Sequence, residues 1–279
     1  MAETATSSVA SVPHKWPARA LPALFVGVAA VVFASWLLST PPGLLGKADA
    51  VGYAICHRID GRSFHLGDRQ LPLCARCTGT YLGALVGLGA LAVLGRRAGG
   101  LPTRRMLVIL FGFIAVMGFD GVNSYLTLFP GAPHLYEPQN WLRLVTGTFN
   151  GMAMAALVYP VLNQTLWKNW EDRPVLSRFR DLGVLVILGV IVIGLVLTEN
   201  PVILYPLALL SALGVVVLLA MLDTTFLLIL ARRDGRVERW TGAFLPLLAG
   251  FTLAMMQIGL IDAVRFAVFR TWGGFGLPG

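Results

Sequence analysis

Apolar residues run through this chain in long blocks broken by short polar segments, and the length of the blocks sets the fold class. A helix needs about 20 consecutive apolar residues to cross a bilayer. Runs of that kind lie at 20–38, 74–95, 106–124, 141–162, 181–199, 202–230 and 241–269. They predict an all-α, polytopic integral membrane protein with about seven transmembrane helices. The sixth run is long, so its helix must tilt or project beyond the bilayer. Only Glu199-Asn200-Pro201 separates it from the fifth, which predicts a tight hairpin. The stretch from Leu44 to Ile55 is too short and too polar to span, and reads as an interfacial or re-entrant segment. Residues 1–19 are small and polar and read as a disordered cytoplasmic tail. The apolar run that follows Lys15 and Arg19 is too long for a cleavable signal core. Residues 20–270 then form one transmembrane domain, and 271–279 a short extracytoplasmic tail.

Composition supports this reading. Hydrophobic residues make up 56% of the 279 positions and charged residues 13%, about half the charged share of a soluble domain. A disordered chain, a small disulfide scaffold and an ordinary soluble enzyme are excluded on that ground. The net charge of +8 does not point to nucleic acid, because no basic stripe with interleaved aromatics is present. It follows instead from topology. Cytoplasmic loops collect Lys and Arg, and 14 of the 22 basic residues fall in the tail and in the loops after the second, fourth and sixth spans. The orientation is therefore N-in/C-out, in the cell's inner (plasma) membrane. The polar loop at 40–73 lies outside. No internal repeat is visible, so an inverted-repeat transporter has no support.

That outer loop carries the candidate chemistry. The chain has three cysteines, Cys56, Cys74 and Cys77, all within one short segment. His65 stands midway between Cys56 and Cys74, with His57 as the competing imidazole. Three thiolates and an imidazole suit tetrahedral zinc in a closed, structural site, with iron as the alternative. The same residues allow a second chemistry. Cys74 and Cys77 open the second span beside Arg76, where a helix N-terminus and a cation lower a thiol pKa. A Cys-x-x-Cys pair there can cycle between dithiol and disulfide with no bound metal, and the outer side permits it. A static disulfide staple is the third possibility.

The strings Cys56-His57-Arg58, Arg62-Ser63-Phe64 and Leu71-Pro72-Leu73-Cys74-Ala75-Arg76-Cys77-Thr78-Gly79, followed by Asp120-Gly121 and Asn140, Arg143 and Thr146-Gly147, resemble a bacterial membrane-protein family catalogued as a domain of unknown function (number twenty eighty-five). The resemblance covers roughly 50–155. It implies a polytopic membrane protein and brings no established activity with it.

Ionisable groups inside spans are costly, and each is a functional candidate. Asp120 and Asn123 fall near the outer end of the third span, Asn140 and Arg143 at the outer start of the fourth, and Asp262 and Arg265 near the outer end of the seventh. Thr146, Gly147 and Asn150 continue the Arg143 face. All lie at one depth beneath the cysteine loop, with Glu199, His134 and Glu137 at the same side. They predict a polar cavity for a small polar molecule, an ion or a lipid headgroup. The competing account is that Arg143 and Arg265 snorkel to the interface and pair locally. If the cavity is catalytic, Asp120 is the acid/base and Arg143 the anion-stabilising group; Asn123, Asn140, Asp262 and Arg265 would bind the ligand. His134 reads as a solvated loop residue, Asp223 as an inner-interface residue, and Met255 and Met256 as lipid or core contacts. Gly79, Gly83 and Gly87 recur every four residues, the pattern of close helix packing. Phosphate-loop, zinc-protease, nucleophile-elbow and haem-attachment motifs are absent from the sequence. Three functions therefore remain: a zinc site capping a polar cavity, a membrane thiol–disulfide oxidoreductase using Cys74 and Cys77, or an accessory subunit packed on a membrane-complex partner.

Overall fold

The structure, a computed structural model, describes residues 20–95, 97–129 and 131–274. The expected tail at 1–19 and the last five residues of the expected tail at 271–279 lie outside the described residues. The long apolar runs form helices α1 (Ala20–Ser39), α3 (Ala75–Gly95), α4 (Arg104–Leu126), α5 (Asn140–Leu166), α6 (Phe179–Leu197), α7 (Pro201–Leu230) and α8 (Trp240–Phe269). All seven are long and apolar enough to cross a membrane. Their lipid-facing sides are visible as exposed Leu24, Phe25 and Val31 on α1 and Val108, Phe111 and Phe119 on α4.

The remaining helix, α2 (Leu44–Ile55), is the segment the sequence reads as interfacial or re-entrant. Ala50, Val51 and Tyr53 on it are all nearly inaccessible, and it packs on α7 and α8. Its small residues explain why. A Cβ on Gly52 would collide with the Pro72 carbonyl, so only glycine lets the chain before Cys74 lie across α2.

Helices α3 and α5 form the centre of the bundle. The expected close approach at Gly79, Gly83 and Gly87 is realised, and α5 answers it with Gly147 and Gly151. Added Cβ atoms at Gly79 and Gly83 would enter the backbone of Leu144 and Thr148; those at Gly147 and Gly151 would enter the backbone of Arg76 and Thr80. The two backbones are therefore in contact along their N-terminal halves. This fixes Cys74, Arg76 and Cys77, at the start of α3, against Arg143 at the start of α5.

The α6–α7 hairpin forms as the Glu199-Asn200-Pro201 sequence dictates. Asn200 caps α7 by accepting from Val202 N at 2.9 Å, and Pro201 occupies the first helical position, where no N–H is required. Helix α5 continues through Pro160 past the expected end at 162. Asn163 and Gln164 explain the extension: their side-chain amides donate to Ala98 O (2.9 Å) and Gly99 O. Those acceptors belong to β3 (Ala98–Gly100), which pairs in parallel with β4 (Glu171–Pro174). In the cysteine loop, β1 (His65–Leu66) pairs antiparallel with β2 (Arg69–Gln70) around Gly67 at φ 62°. These short strands and an isolated bridge between Trp167 and Val237 add small β elements to the otherwise helical fold.

Candidate metal centre

Cys56 ends α2, Cys74 immediately precedes α3, and Cys77 sits in the first turn of α3. The crossing of the chain over Gly52 brings the three together, and their sulfurs all lie within 4.8 Å of one another. Among the described residues this is the one group of three or more metal-ligating side chains so arranged. All three are free thiols. Cys56 is buried, and its sulfur accepts two backbone N–H groups, from Arg58 and Cys74, each at 3.4 Å. Such N–H···S bonds favour the thiolate over the thiol. The thiols also act on each other. Donation from Cys56 and then from Cys77 holds Cys74 well below its usual range, helped by Arg76. Cys56 is pushed up to about 12, first by its hydrogen bond with Cys74. Binding of a divalent cation would displace the thiol protons that remain.

Neither histidine joins the three sulfurs within that distance. His65 lies on β1 and meets Asp60 Oδ1 through Nε2 at 2.9 Å. His57 is exposed and lines the cavity beside the cysteines. Among the described residues, the potential ligand atoms gathered within that distance are the three sulfurs.

A cavity of about 510 Å³ lies against this cluster, walled by Cys56, Cys74 and Cys77 on one side and by Gly121 and Tyr125 of α4 on another. Arg58, Arg62, Arg76 and Arg143 line it. Arg58 pairs with Asp49 (2.9 Å) and donates to Trp272 O at 3.0 Å. Arg76 forms an ion pair with Asp120. Arg143 donates to Asn140 Oδ1 (2.7 Å) and to Ser124 Oγ (3.0 Å).

The polar residues placed at one depth by the sequence separate into two groups around the bundle. The first surrounds the cavity. Asp120 is 1% exposed, and both its oxygens are engaged, one by Arg76 and the other by Tyr136 Oη at 2.8 Å. Burial, then that hydrogen bond, push the Tyr136 phenol up to about 12, so it remains a donor. Asn123 donates to Tyr136 O (2.9 Å) and accepts from Leu135 N (2.7 Å), pinning the loop after α4. Asn140 reaches Gly61 O and Ser63 O in the cysteine segment.

The second group lies away from the cavity. Asp262 accepts from Trp36 Nε1 at 3.1 Å, tying α8 to α1. Arg265 donates to Tyr53 O and to Cys56 O (2.9 Å) and stacks over the Tyr53 ring. It caps the last carbonyls of α2 and so positions Cys56 from behind. Neither residue lines the cavity.

The cavity-lining residues that sequence reasoning did not single out as ligand-binding are Arg58, Arg62 and Arg76. A signal was present. Four basic residues, Arg58, Arg62, Arg69 and Arg76, sit between Cys56 and Cys77.

The profile of a family described as "Predicted membrane protein (DUF2085)" matches residues 56–157. An uncharacterised protein of Methanocaldococcus jannaschii is 28% identical over 123 residues, covering 44% of this chain and 72% of that protein. An uncharacterised protein of Methanothermobacter thermautotrophicus is 34% identical over 84 residues, covering 28% of this chain and 76% of that protein. No solved structure matches the chain. The family match begins at Cys56 and ends within α5, so it takes in the three cysteines, the four cavity arginines and the α3–α5 contact. The chain belongs to the DUF2085 family of multi-pass membrane proteins.

Proposed function

We propose that Cys56, Cys74 and Cys77 hold a zinc ion at the extracytoplasmic face of the membrane, with the metal's remaining position turned to the adjoining cavity, which takes a small polar molecule, an ion or a lipid headgroup. The observation that carries this reading is the mutual approach of three sulfurs at the wall of a cavity. Structural zinc sites fill four positions with protein ligands, whereas sites that act on a ligand supply three and keep one open. The site expected from the sequence was the closed kind, with His65 as the fourth ligand. Engagement of His65 by Asp60 favours the open kind. The distribution of Lys and Arg supports the extracytoplasmic side.

In this reading Asp120 orients Arg76 rather than acting as an acid/base, since both of its oxygens are occupied. Arg143 keeps its proposed role as the anion-stabilising group. Asn123 and Asn140 shape the loops around the cavity, and Asp262 and Arg265 support the site from outside.

The test is elemental analysis of detergent-purified protein with a free-thiol count on the same sample. About one zinc per chain, lost in Cys77→Ser, is the expected outcome. Iron in place of zinc would keep the site and change the metal. A chain with no metal and two thiols lost to a reducible disulfide would overturn the proposal in favour of thiol–disulfide chemistry.

A further inference from the structure

The cavity beside the three cysteines carries more positive charge than the described residues neutralise. Arg58 and Arg76 have carboxylate partners, Asp49 (shared with the half-exposed Arg69) and Asp120. Arg62 and Arg143 have no carboxylate partner among the described residues. Their acceptors are all neutral: Ser124 Oγ receives Arg62 Nη1 at 3.4 Å, Arg143 Nε at 3.3 Å and Arg143 Nη2 at 3.0 Å, Thr127 Oγ1 receives Arg62 Nη2 at 3.1 Å, and Asn140 Oδ1 receives Arg143 Nη1 at 2.7 Å. Ser124 is 1% exposed and Arg143 6%. A hydroxyl oxygen offers two lone pairs, so three donors from two cations exceed what it can accept. Arg62 Nε is also buried without any acceptor. Guanidinium groups in this state, Arg143 buried and Arg62 partly buried, are costly unless an anion completes them.

The rest of the charge balance points the same way. With the proposed divalent ion bound by three thiolates, the cluster would carry one negative charge. Two unpaired guanidinium groups supply two positive charges. The site is left one charge positive, a deficit that an incoming anion would make up. Guanidinium forks match the oxygens of phosphate, two donors to each group. The lining also includes the apolar side chains of Ile55, Ile59, Tyr125, Leu128 and Phe129. Tyr125 and Phe129 stack edge to face at 5.3 Å, and both are more than half exposed, at the outer end of a membrane-spanning helix. A lining of cationic and apolar side chains at that position suits an amphiphile.

From this we infer that the cavity binds a phosphoryl group through Arg62 and Arg143, either as the headgroup of an anionic lipid or as a free phosphate ester, beside the metal. The inference builds on the proposed metal site for its location, while the arginine pair would bind its anion whether or not the metal is present.

The experiment is thermal unfolding of the purified full chain in detergent, titrated with three probes: inorganic phosphate, a short-chain phosphatidic acid and a short-chain phosphatidylcholine. Metal content is measured on every sample. Stabilisation by phosphatidic acid alone assigns the site to a lipid headgroup; stabilisation by phosphate as well assigns it to phosphate esters in general. In either case Arg62→Gln should weaken the probe's apparent affinity roughly 10-fold or more, the worth of a charge-assisted hydrogen bond. Arg143→Gln should weaken it further, Arg143→Lys should restore part, and the exposed Arg104→Gln should change nothing. The judgement rests on Arg62→Gln if Arg143→Gln does not fold, because Arg62 is only partly buried. No stabilisation by phosphate or phosphatidic acid, or equal stabilisation by phosphatidylcholine, overturns the inference, as does an affinity unchanged in Arg62→Gln. Metal-free protein that still binds phosphate through these arginines would refute the metal reading alone. Metal-loaded protein that does not bind it would refute this inference alone.

Discussion

Asp120→Asn is expected to destabilise the protein by about 3 kcal/mol, because it leaves the Arg76 guanidinium facing a neutral amide in a buried pocket. Asp120 is 1% exposed and Arg76 about one-fifth exposed at its side chain, so the pair is shielded but not sealed. That partial access places the loss at the lower end of what breaking a buried ion pair costs. The carboxylate also anchors Tyr136, so the loop after α4 should loosen with it. The informative measurement is a double-mutant cycle in unfolding experiments, with Arg76→Gln as the second substitution. Removing both charges should cost less than the two single changes added together, because neither residue is then stranded. A freely placed catalytic carboxylate would behave differently: Asp120→Asn would leave stability untouched, and the positioning role would fall.

Gly151→Leu is expected to be at least as damaging, by about 3 kcal/mol or more, and to damage the site as well as the fold. Its Cβ would occupy the position of the Thr80 carbonyl and crowd the Ala84 backbone. Overpacking between side chains typically costs 1–3 kcal/mol because neighbours move aside; a helix backbone has less room to move. The separation would shift α3, which carries Cys74 and Cys77, away from α5, which carries Arg143. Lost stability should therefore be accompanied by lost metal. Gly118→Leu on α4 is the control, since no atom lies within 4 Å of a Cβ added there. Equal stability and equal metal content in the two variants would contradict the α3–α5 contact.

Much of this architecture was legible in the sequence because bilayer thickness imposes a length on apolar runs. Each span is recovered to within a few residues, and the glycine repeat on α3 correctly announced a close helix contact. Its partner was not announced: Gly147 and Gly151 lie on α5 without a repeat long enough to notice. Grouping of the three cysteines followed from their spacing. The fourth position did not, because His65 sits midway in sequence while the direction of its side chain depends on a hairpin turning at Gly67. Position along the helix could be read for Asp120, Arg143 and Asp262, since each residue advances a helix by a fixed rise. Direction around the bundle could not be read for Asp262 and Arg265. Helix α8 is apolar on all sides, so its sequence does not say which face meets α1 and α2. The unpaired arginines required the structure, because pairing depends on which carboxylate each one reaches.

X-ray absorption at the zinc edge of the purified protein tests the central claim most directly. The account predicts three sulfur neighbours at about 2.3 Å and one lighter neighbour at about 2.0 Å, without the outer-shell scattering of an imidazole ring. Addition of phosphate or phosphatidic acid should alter the lighter neighbour and leave the sulfurs in place. Four protein ligands with a clear histidine signature would show a closed structural site and contradict the account.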